Sequence, residues 1–449
     1  MRWKIYLWTL AVVLVIVAAG MRLHAEGAII PGDEAYYDFL RAEDISDGDI
    51  NGLTEYSSQD IPFILNLYDV LLSPVADDFS LHTFMFLGPM LALLGALLTY
   101  YIYRKTGLDE RLSLLSTLVF ILSPMFIFMV FEPTRHVFAY VYVLLCIVSF
   151  LRFRFLSIPL FVLLPFVGIF HTLAAALALF VLERNSRSNM VLFFILGSVS
   201  ILYYLPLYLG HGMIDISSVY SDTLLHLFSD MGGDMGLGIF SILLGIIGLS
   251  LSWKHKKTLS LHYTALSIIL LLSLFRPYMA IYLNMAVSIL VSVAIIGLWE
   301  RRWRHLQIKN ITLILVFCGL LFSVVAYMDL NSKKEPDQAI KESLNYLGYQ
   351  EPGIVLSHHS YSNWITYFSG NRAFASPYAE TNRSIWYTRN IETARAFLDK
   401  NDISYIYIHP DMKDGLIWDE DDEGLQFLLS NNETFDKLSE DIWMVKDES

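Results

Sequence analysis

Charge is scarce in this chain. Only 17% of its 449 residues are Asp, Glu, Lys or Arg, where soluble domains carry roughly 25%. Cysteine is nearly absent. Cys146 and Cys318 are the only two, and both sit inside apolar runs, so no disulfide framework or CxxC metal site is available. No internal repeat or low-complexity tract breaks the pattern. There is no P-loop, no GxGxxG at a strand–helix junction, no HExxH and no GxSxG, which excludes nucleotide-driven chemistry and the common hydrolases. The net charge of −13 disfavours nucleic acid as a partner.

What the chain has instead is apolar length. Hydrophobic residues make up 55% of it, and the mean hydropathy is +0.49. Runs fall at 5–21, 81–103, 113–131, 137–151, 155–182, 190–209, 236–252, 259–275, 277–298 and 311–328. Such runs mark a polytopic α-helical membrane protein. The first is long enough to be retained as an anchor rather than cleaved as a secretory signal. Basic clusters assign the sides: Arg104, Lys105 and Arg111; Arg152 and Arg154; Arg184 and Arg187; Lys254, Lys256 and Lys257; Arg301, Arg302, Arg304 and Lys309. All of them face the cytoplasm only if 155–182 enters the membrane and returns. Its 28 residues reach about 42 Å as helix, too long for one crossing of a ~30 Å core and too short for two. Pro159, Pro165 and Gly168 supply break points. Two short or broken helices tucked in protein are expected there. The sum is about eleven membrane passes, with the N-terminus cytoplasmic.

From residue 329 the character changes. Ile354–Leu356 and Tyr405–Ile408 read as short strands and Ile391–Lys400 as a helix. The expected organisation is a membrane domain over 1–328 and a small extracytoplasmic α/β domain over 329–449. The acidic run Asp419–Glu423 lacks the glycine-punctuated spacing of a calcium loop and reads as a solvated loop.

Acid is concentrated outside the runs. Leu330–Ser449 holds 21 acids and 11 bases, and the loop Arg22–Phe79 holds 13 acids and two bases. That loop, about 58 residues long, is longer than an ordinary connection. It opens with Gly32-Asp-Glu-Ala-Tyr-Tyr-Asp38. Adjacent carboxylates suit a general base acting on an acceptor hydroxyl, or a seat for a divalent cation beside a phosphate. Two neighbouring acids repel, which raises one of the two pKa values. A plain solvated acidic loop is the competing reading.

A first span followed by this acidic outer loop resembles the GT-C superfamily of membrane glycosyltransferases. The superfamily includes protein O-mannosyltransferases, aminoarabinose transferases and oligosaccharyltransferases. The resemblance implies a sugar donor on a polyprenyl-phosphate or pyrophosphate carrier, used on the outer side of the membrane. It makes Asp33 the expected catalytic carboxylate and Glu34 its partner, with Tyr36 and Tyr37 beside them as cavity lining. The turn Phe131-Glu-Pro-Thr-Arg-His136 lies on the same side as Asp33. Charges at membrane depth usually have a task. Glu132 is expected to position acceptor or metal, and Arg135 to contact phosphate. Arg276, in Phe275-Arg-Pro-Tyr278, has the planar fork that fits phosphate oxygens and is the expected leaving-group contact. His171, in the broken segment, is a cavity-lining candidate. His211, Asp215, Asp222, Asp230 and Asp234 lie in an outer loop over 210–235 that reads as a lid or as a plain connection.

One family motif is missing. Oligosaccharyltransferases carry Trp-Trp-Asp-x-Gly in their outer domain, and the nearest echo here is Ser362-Asn-Trp-Ile-Thr-Tyr-Phe-Ser-Gly370. His358-His359 on a strand would point to opposite faces, so no shared metal site is expected from them. The reading is transfer of a sugar from a polyprenyl-phosphate donor to a protein, lipid or glycan acceptor at the bilayer. No cofactor is certain; magnesium or manganese on Asp33 and Glu132 is the candidate. The alternatives are metal-dependent glycan transfer of the oligosaccharyltransferase kind, a lipid-linked saccharide transporter or flippase, and an inactive scaffold.

Overall fold

The computed structural model describes residues 2–26, 29–48, 66–76, 81–182, 187–211, 227–231, 233, 235–374, 384–418 and 423–446. The acidic run 419–422 and most of the loop 210–235, with Asp215, Asp222 and Asp234, lie outside them. The chain divides into two compact units. One comprises Met1–Pro31, Asn66–Tyr68 and Phe79–Lys334; the other comprises Gly32–Leu65, Asp69–Asp78 and Glu335–Ser449.

The first unit is helical, and each expected apolar run carries helix. Among the described residues, six helices are long and apolar enough to cross a membrane, or up to seven if a bent pair counts as one span. The bent pair is Glu110–Ile121 and Pro124–Phe131, turned by 58°. Its break has a local cause. Ser123 caps the second helix by accepting the Phe126 N–H at 3.2 Å, and Pro124 sits at its first position, where a missing N–H costs nothing. One of the six, the 37-residue stretch Ile239–Phe275, would run about 55 Å as a single helix, nearly twice a ~30 Å core. It holds two helices, Ile239–Ser252 and Lys256–Phe275, around a 3-10 turn at Trp253–His255, matching two of the expected runs. Three apolar helices are shorter: Arg154–Phe166, Ile169–Leu182 and Met190–Pro206. By length and composition, the described residues give six or seven full-length candidates and three shorter apolar helices, beside the eleven passes expected.

The segment 155–182 is broken at Pro165 and Gly168, whereas Pro159 lies inside helix Arg154–Leu163. Helix Arg154–Leu163 passes into a 3-10 turn at Leu164–Phe166 and restarts at Ile169. Gly168 lies between them at φ +150°, a conformation L side chains rarely adopt. Thr172 Oγ1 donates to the Gly168 carbonyl at 2.9 Å and approaches that of Leu164 at 3.2 Å, so the freed backbone groups find partners inside protein. Close helix packing uses small residues. A Cβ on Gly248 would lie 1.9 Å from the Leu290 carbonyl oxygen, so helices Ile239–Ser252 and Ala280–Glu300 touch there backbone to backbone. Arg22 is 1% exposed. It donates to the carbonyls of Ile29 at 2.9 Å, Ser332 at 3.0 Å and Lys334 at 2.6 Å, tying the end of the first helix to the end of helix Leu306–Ser332.

The second unit is built on a five-stranded sheet. Its strands are β1 (Ile354–Leu356), β2 (Arg372–Ala373), β3 (Ile403–Tyr407), β4 (Phe435–Lys437) and β5 (Ile442–Val445), in the order β2-β1-β3-β5-β4. β1 runs parallel to β2 and β3; β5 runs antiparallel to β3 and β4. Strand β1 and the helix Ile391–Lys400 match expectation, the latter capped by Asn390 Oδ1 on the Glu392 N–H at 2.9 Å. Helix Ser362–Ser369 ends on Gly370 at φ +66°, an αL stop that glycine takes without strain. The loop helix Glu34–Ser46 belongs to this unit. His358 and His359 do not sit on the strand. They lie just past β1 at a 3-10 turn, with ring centroids 4.0 Å apart, so the opposite-face expectation fails.

Candidate active site

The acidic motif is built around a left-handed glycine. Gly32 has φ +81°. Its N–H donates to the Glu335 carbonyl at 2.8 Å, and its own carbonyl accepts the Trp364 indole N–H at 3.2 Å. Asp33 follows at the N-cap position of helix Glu34–Ser46, but its side chain makes no capping bond. Oδ2 instead accepts the side-chain amide of Asn363. Oδ1 is enclosed and has no hydrogen-bond partner. Although the residue as a whole is half-buried, its carboxyl head is shut off from solvent. Burial is the main cause that pushes the Asp33 pKa up to about 8; the Glu34 charge adds to it, and the Asn363 bond opposes it. Glu34 is half-buried in the first helical turn. Tyr36 is 1% exposed and packs on Tyr367 and Phe368, with ring centroids 5.0 and 5.2 Å away. Tyr37 is half-buried.

The other expected residues belong to the helical unit. Glu132 caps the end of helix Pro124–Phe131 and is 4% exposed. The Lys334 ammonium pairs with it at 2.8 Å. Arg135 is half-buried and opens helix Arg135–Arg152. His171 is 2% exposed. Its Nδ1 meets the Tyr282 hydroxyl at 2.9 Å and its Nε2 meets His136 Nδ1 at 3.2 Å. Tyr278 stacks on His136 with centroids 3.7 Å apart and planes 6° apart. The Arg276 guanidinium lies 5.3 Å from the Phe170 ring, within cation–π reach. His171 and Arg276 thus share one aromatic and imidazole cluster. In the former lid candidate, Asp230 Oδ2 accepts the Ile239 N–H at 2.6 Å and the Ser323 hydroxyl at 2.9 Å.

Among the described residues, Asp33 and Glu132 do not fall in a group of three or more His, Cys, Asp or Glu side chains with converging ligand atoms. Such a group forms from Glu335, His409 and Asp411, whose candidate atoms lie within 4.8 Å of one another. One imidazole and two carboxylates are a donor set that zinc uses. His409 Nδ1 accepts the Asp411 N–H at 3.2 Å, which leaves the ring proton on Nε2, 3.3 Å from Glu335 Oε2. His409 Nε2 makes no hydrogen bond in this arrangement. Burial pushes the Glu335 carboxyl up to about 7, aided by Asp411 and Asp337, and lowers the His409 imidazole.

Sequence reasoning missed Asn363, Lys334, His136, Tyr278, Tyr282 and His409. Two carried a readable signal. Lys334 lies six residues past the last apolar run, and Tyr278 follows Arg276-Pro277.

No family model and no curated relative matches the sequence. Solved structures do. The apo oligosaccharyltransferase of Archaeoglobus fulgidus aligns at TM-score 0.62 and 11% identity, over 90% of this chain and 70% of that one. ArnT from Cupriavidus metallidurans bound to undecaprenyl phosphate aligns at TM-score 0.58 and 11% identity, over 99% and 98%. The fold is that of the GT-C glycosyltransferases. The Archaeoglobus enzyme has also been solved with zinc and sulfate, aligning at TM-score 0.57 and 12% identity over 89% of this chain and 68% of that one.

Proposed function

We propose that this GT-C-fold protein is a membrane glycosyltransferase that moves a sugar from a polyprenyl-phosphate carrier to an acceptor on the extracytoplasmic side, with Asp33 as general base. The supporting observation is the enclosed Asp33 carboxyl, held by a neutral amide and raised to about 8. A base of that strength takes a proton from a hydroxyl near neutral pH. Asp33 would remove the acceptor proton as the acceptor oxygen forms its bond to the sugar C1. The bond from C1 to the phosphate oxygen breaks, and the lipid phosphate leaves with the electron pair, with inversion at C1. Arg276 and Arg135 would meet the charge that grows on the phosphate. Glu34 and Glu132 would position the acceptor. Domain 1–328 would span the membrane and 329–449 would lie outside, with the N-terminus inside. A solved AglB complex carries dolichol-phosphate and an inhibitory peptide, and the ArnT neighbour carries undecaprenyl phosphate; both ligands favour a lipid-linked donor.

The metal-dependent alternative has one observation in its favour, the zinc-bound Archaeoglobus structure. Here a magnesium or manganese ion would have Asp33 among its ligands and would supply charge against the leaving phosphate. Proteoliposomes given radiolabelled dolichyl- and undecaprenyl-phosphate hexoses and a total envelope extract as acceptor separate the readings. Transfer that survives EDTA and vanishes in Asp33→Asn supports the base. Transfer lost to EDTA and restored by manganese supports the metal. Donor lipid that changes leaflet without losing its sugar supports a flippase.

A further inference from the structure

Asp33 and the stretch Ser362–Gly370 are 330 residues apart in sequence, and the fold brings them together within one compact unit. Asn363 is 7% exposed and Trp364 5%. The Asn363 amide reaches Asp33 Oδ2. The next residue, Trp364, donates to the Gly32 carbonyl at 3.2 Å. Two consecutive residues of one helix therefore grip two consecutive residues of the acidic turn.

The grip is itself supported on both sides. Tyr361 stacks on the buried His409 ring with centroids 4.2 Å apart and contacts Trp364 at 5.4 Å, which fixes the indole. Further along the same helix, Tyr367 and Phe368 pack on Tyr36, and Tyr367 packs on Phe39 at 5.4 Å. The Glu335 carbonyl holds the Gly32 N–H from another direction at 2.8 Å.

We propose that Asn363 is the positioning residue of the acidic motif, with Trp364 as its second anchor, and that together they aim the Asp33 carboxyl at the acceptor hydroxyl. The role rests on the reading of Asp33 as base. The chemistry of an amide suits it. A base must be ionised before the step and protonated after it. An amide offers N–H donors to the carboxylate and a carbonyl acceptor to the carboxylic acid, so one side chain serves both forms. A lysine or arginine in its place would hold Asp33 ionised and weaken it as a base.

The test uses full-length protein in proteoliposomes with the radiolabelled polyprenyl-phosphate hexoses and envelope extract. Asn363→Leu removes the amide at similar size, Asn363→Gln keeps it, and Trp364→Phe keeps the ring but loses the N–H. Asn363→Leu is expected to lower kcat about tenfold or more, with the donor KM within about twofold of wild type. Asn363→Gln recovers part of the loss, and Trp364→Phe shows a smaller loss in kcat alone. An infrared band assigned to the Asp33 carboxyl by its disappearance in Asp33→Asn reads the contact without any activity. It moves to higher frequency in Asn363→Leu and stays near its wild-type place in Asn363→Gln. A band that does not move in Asn363→Leu, or a kcat that stays above half of wild type, overturns the role of Asn363. Parallel changes in kcat and KM that Gln does not relieve overturn it as well. Full transfer by Asp33→Asn would instead sink the base reading, and this role with it. Should Asn363→Leu fail to fold, Trp364→Phe with unchanged kcat overturns the two-residue grip.

Discussion

Two buried acids in this protein have opposite company. Glu132, in the helical unit, is nearly enclosed and meets the Lys334 ammonium at 2.8 Å. Asp33, in the sheet-bearing unit, is held by the neutral amide of Asn363, and its carboxyl is pushed up to about 8. A cation beside a carboxylate holds it ionised and takes away its appetite for protons. A neutral partner in an enclosed place leaves that appetite strong. The two acids thus have different surroundings, and in the proposed reading they take different tasks, Glu132 positioning and Asp33 moving a proton.

The sharpest way to break the comparison is Asp33→Asn. Loss of a general base is expected to lower transfer by about 10²–10⁴-fold, measured as label leaving the lipid donor. A loss as large from Glu132→Gln and little from Asp33→Asn would reverse the two roles. The second largest effect is in pH. The base works when ionised, so transfer should rise with pH along a limb centred near 8, falling about tenfold per unit below it. Stability moves the other way. The folded carboxyl holds its proton up to about 8, whereas an unfolded aspartate releases it near about 4. The folded state therefore binds the extra proton between these values, and stability declines as pH rises through that window. Thermal midpoints of wild type should fall from pH 5 to 8 more steeply than those of Asp33→Asn; parallel slopes would refute the shift.

Breaking the other pair should cost stability as well as the acceptor positioning proposed for Glu132. Glu132→Gln leaves the Lys334 ammonium without its carboxylate. With that lysine partly exposed, the expected loss is about 1–3 kcal/mol, read as a lower unfolding midpoint. Adding Lys334→Met should return part of it in a double-mutant cycle. The smallest effect concerns metal. With Nδ1 of His409 engaged by the Asp411 N–H, EDTA or added zinc should leave the unfolding midpoint unchanged. A rise with zinc that His409→Asn abolishes would make it a cation site.

Much of the helical unit could be read from the chain. Apolar runs have few ways to satisfy their backbone in a membrane other than as helices, and Pro165 with Gly168 announced the break in 155–182. The number of full-length spans was harder. Whether a 14-residue apolar helix crosses, dips or stays buried depends on its neighbours, which periodicity does not report. The candidate site was half legible. Asp33 and Glu34 stood out as acids clustered just past an apolar run. Asn363 did not, since an asparagine inside Ser362–Gly370 looks like any other polar residue on a helix. His358-His359 misled because a strand was assumed to continue where a 3-10 turn begins.

Composition and periodicity by themselves determined that this is a helical membrane protein with acid-rich segments outside its spans. Those properties follow from local chemistry, the transfer of apolar side chains and backbone satisfaction, summed along the chain. Tertiary structure alone decided which acid receives a cation and which an amide. Lys334 reaches Glu132 across 202 residues and Asn363 reaches Asp33 across 330. The pKa of a carboxyl depends on what lies within a few ångströms of it, and only folding sets that distance.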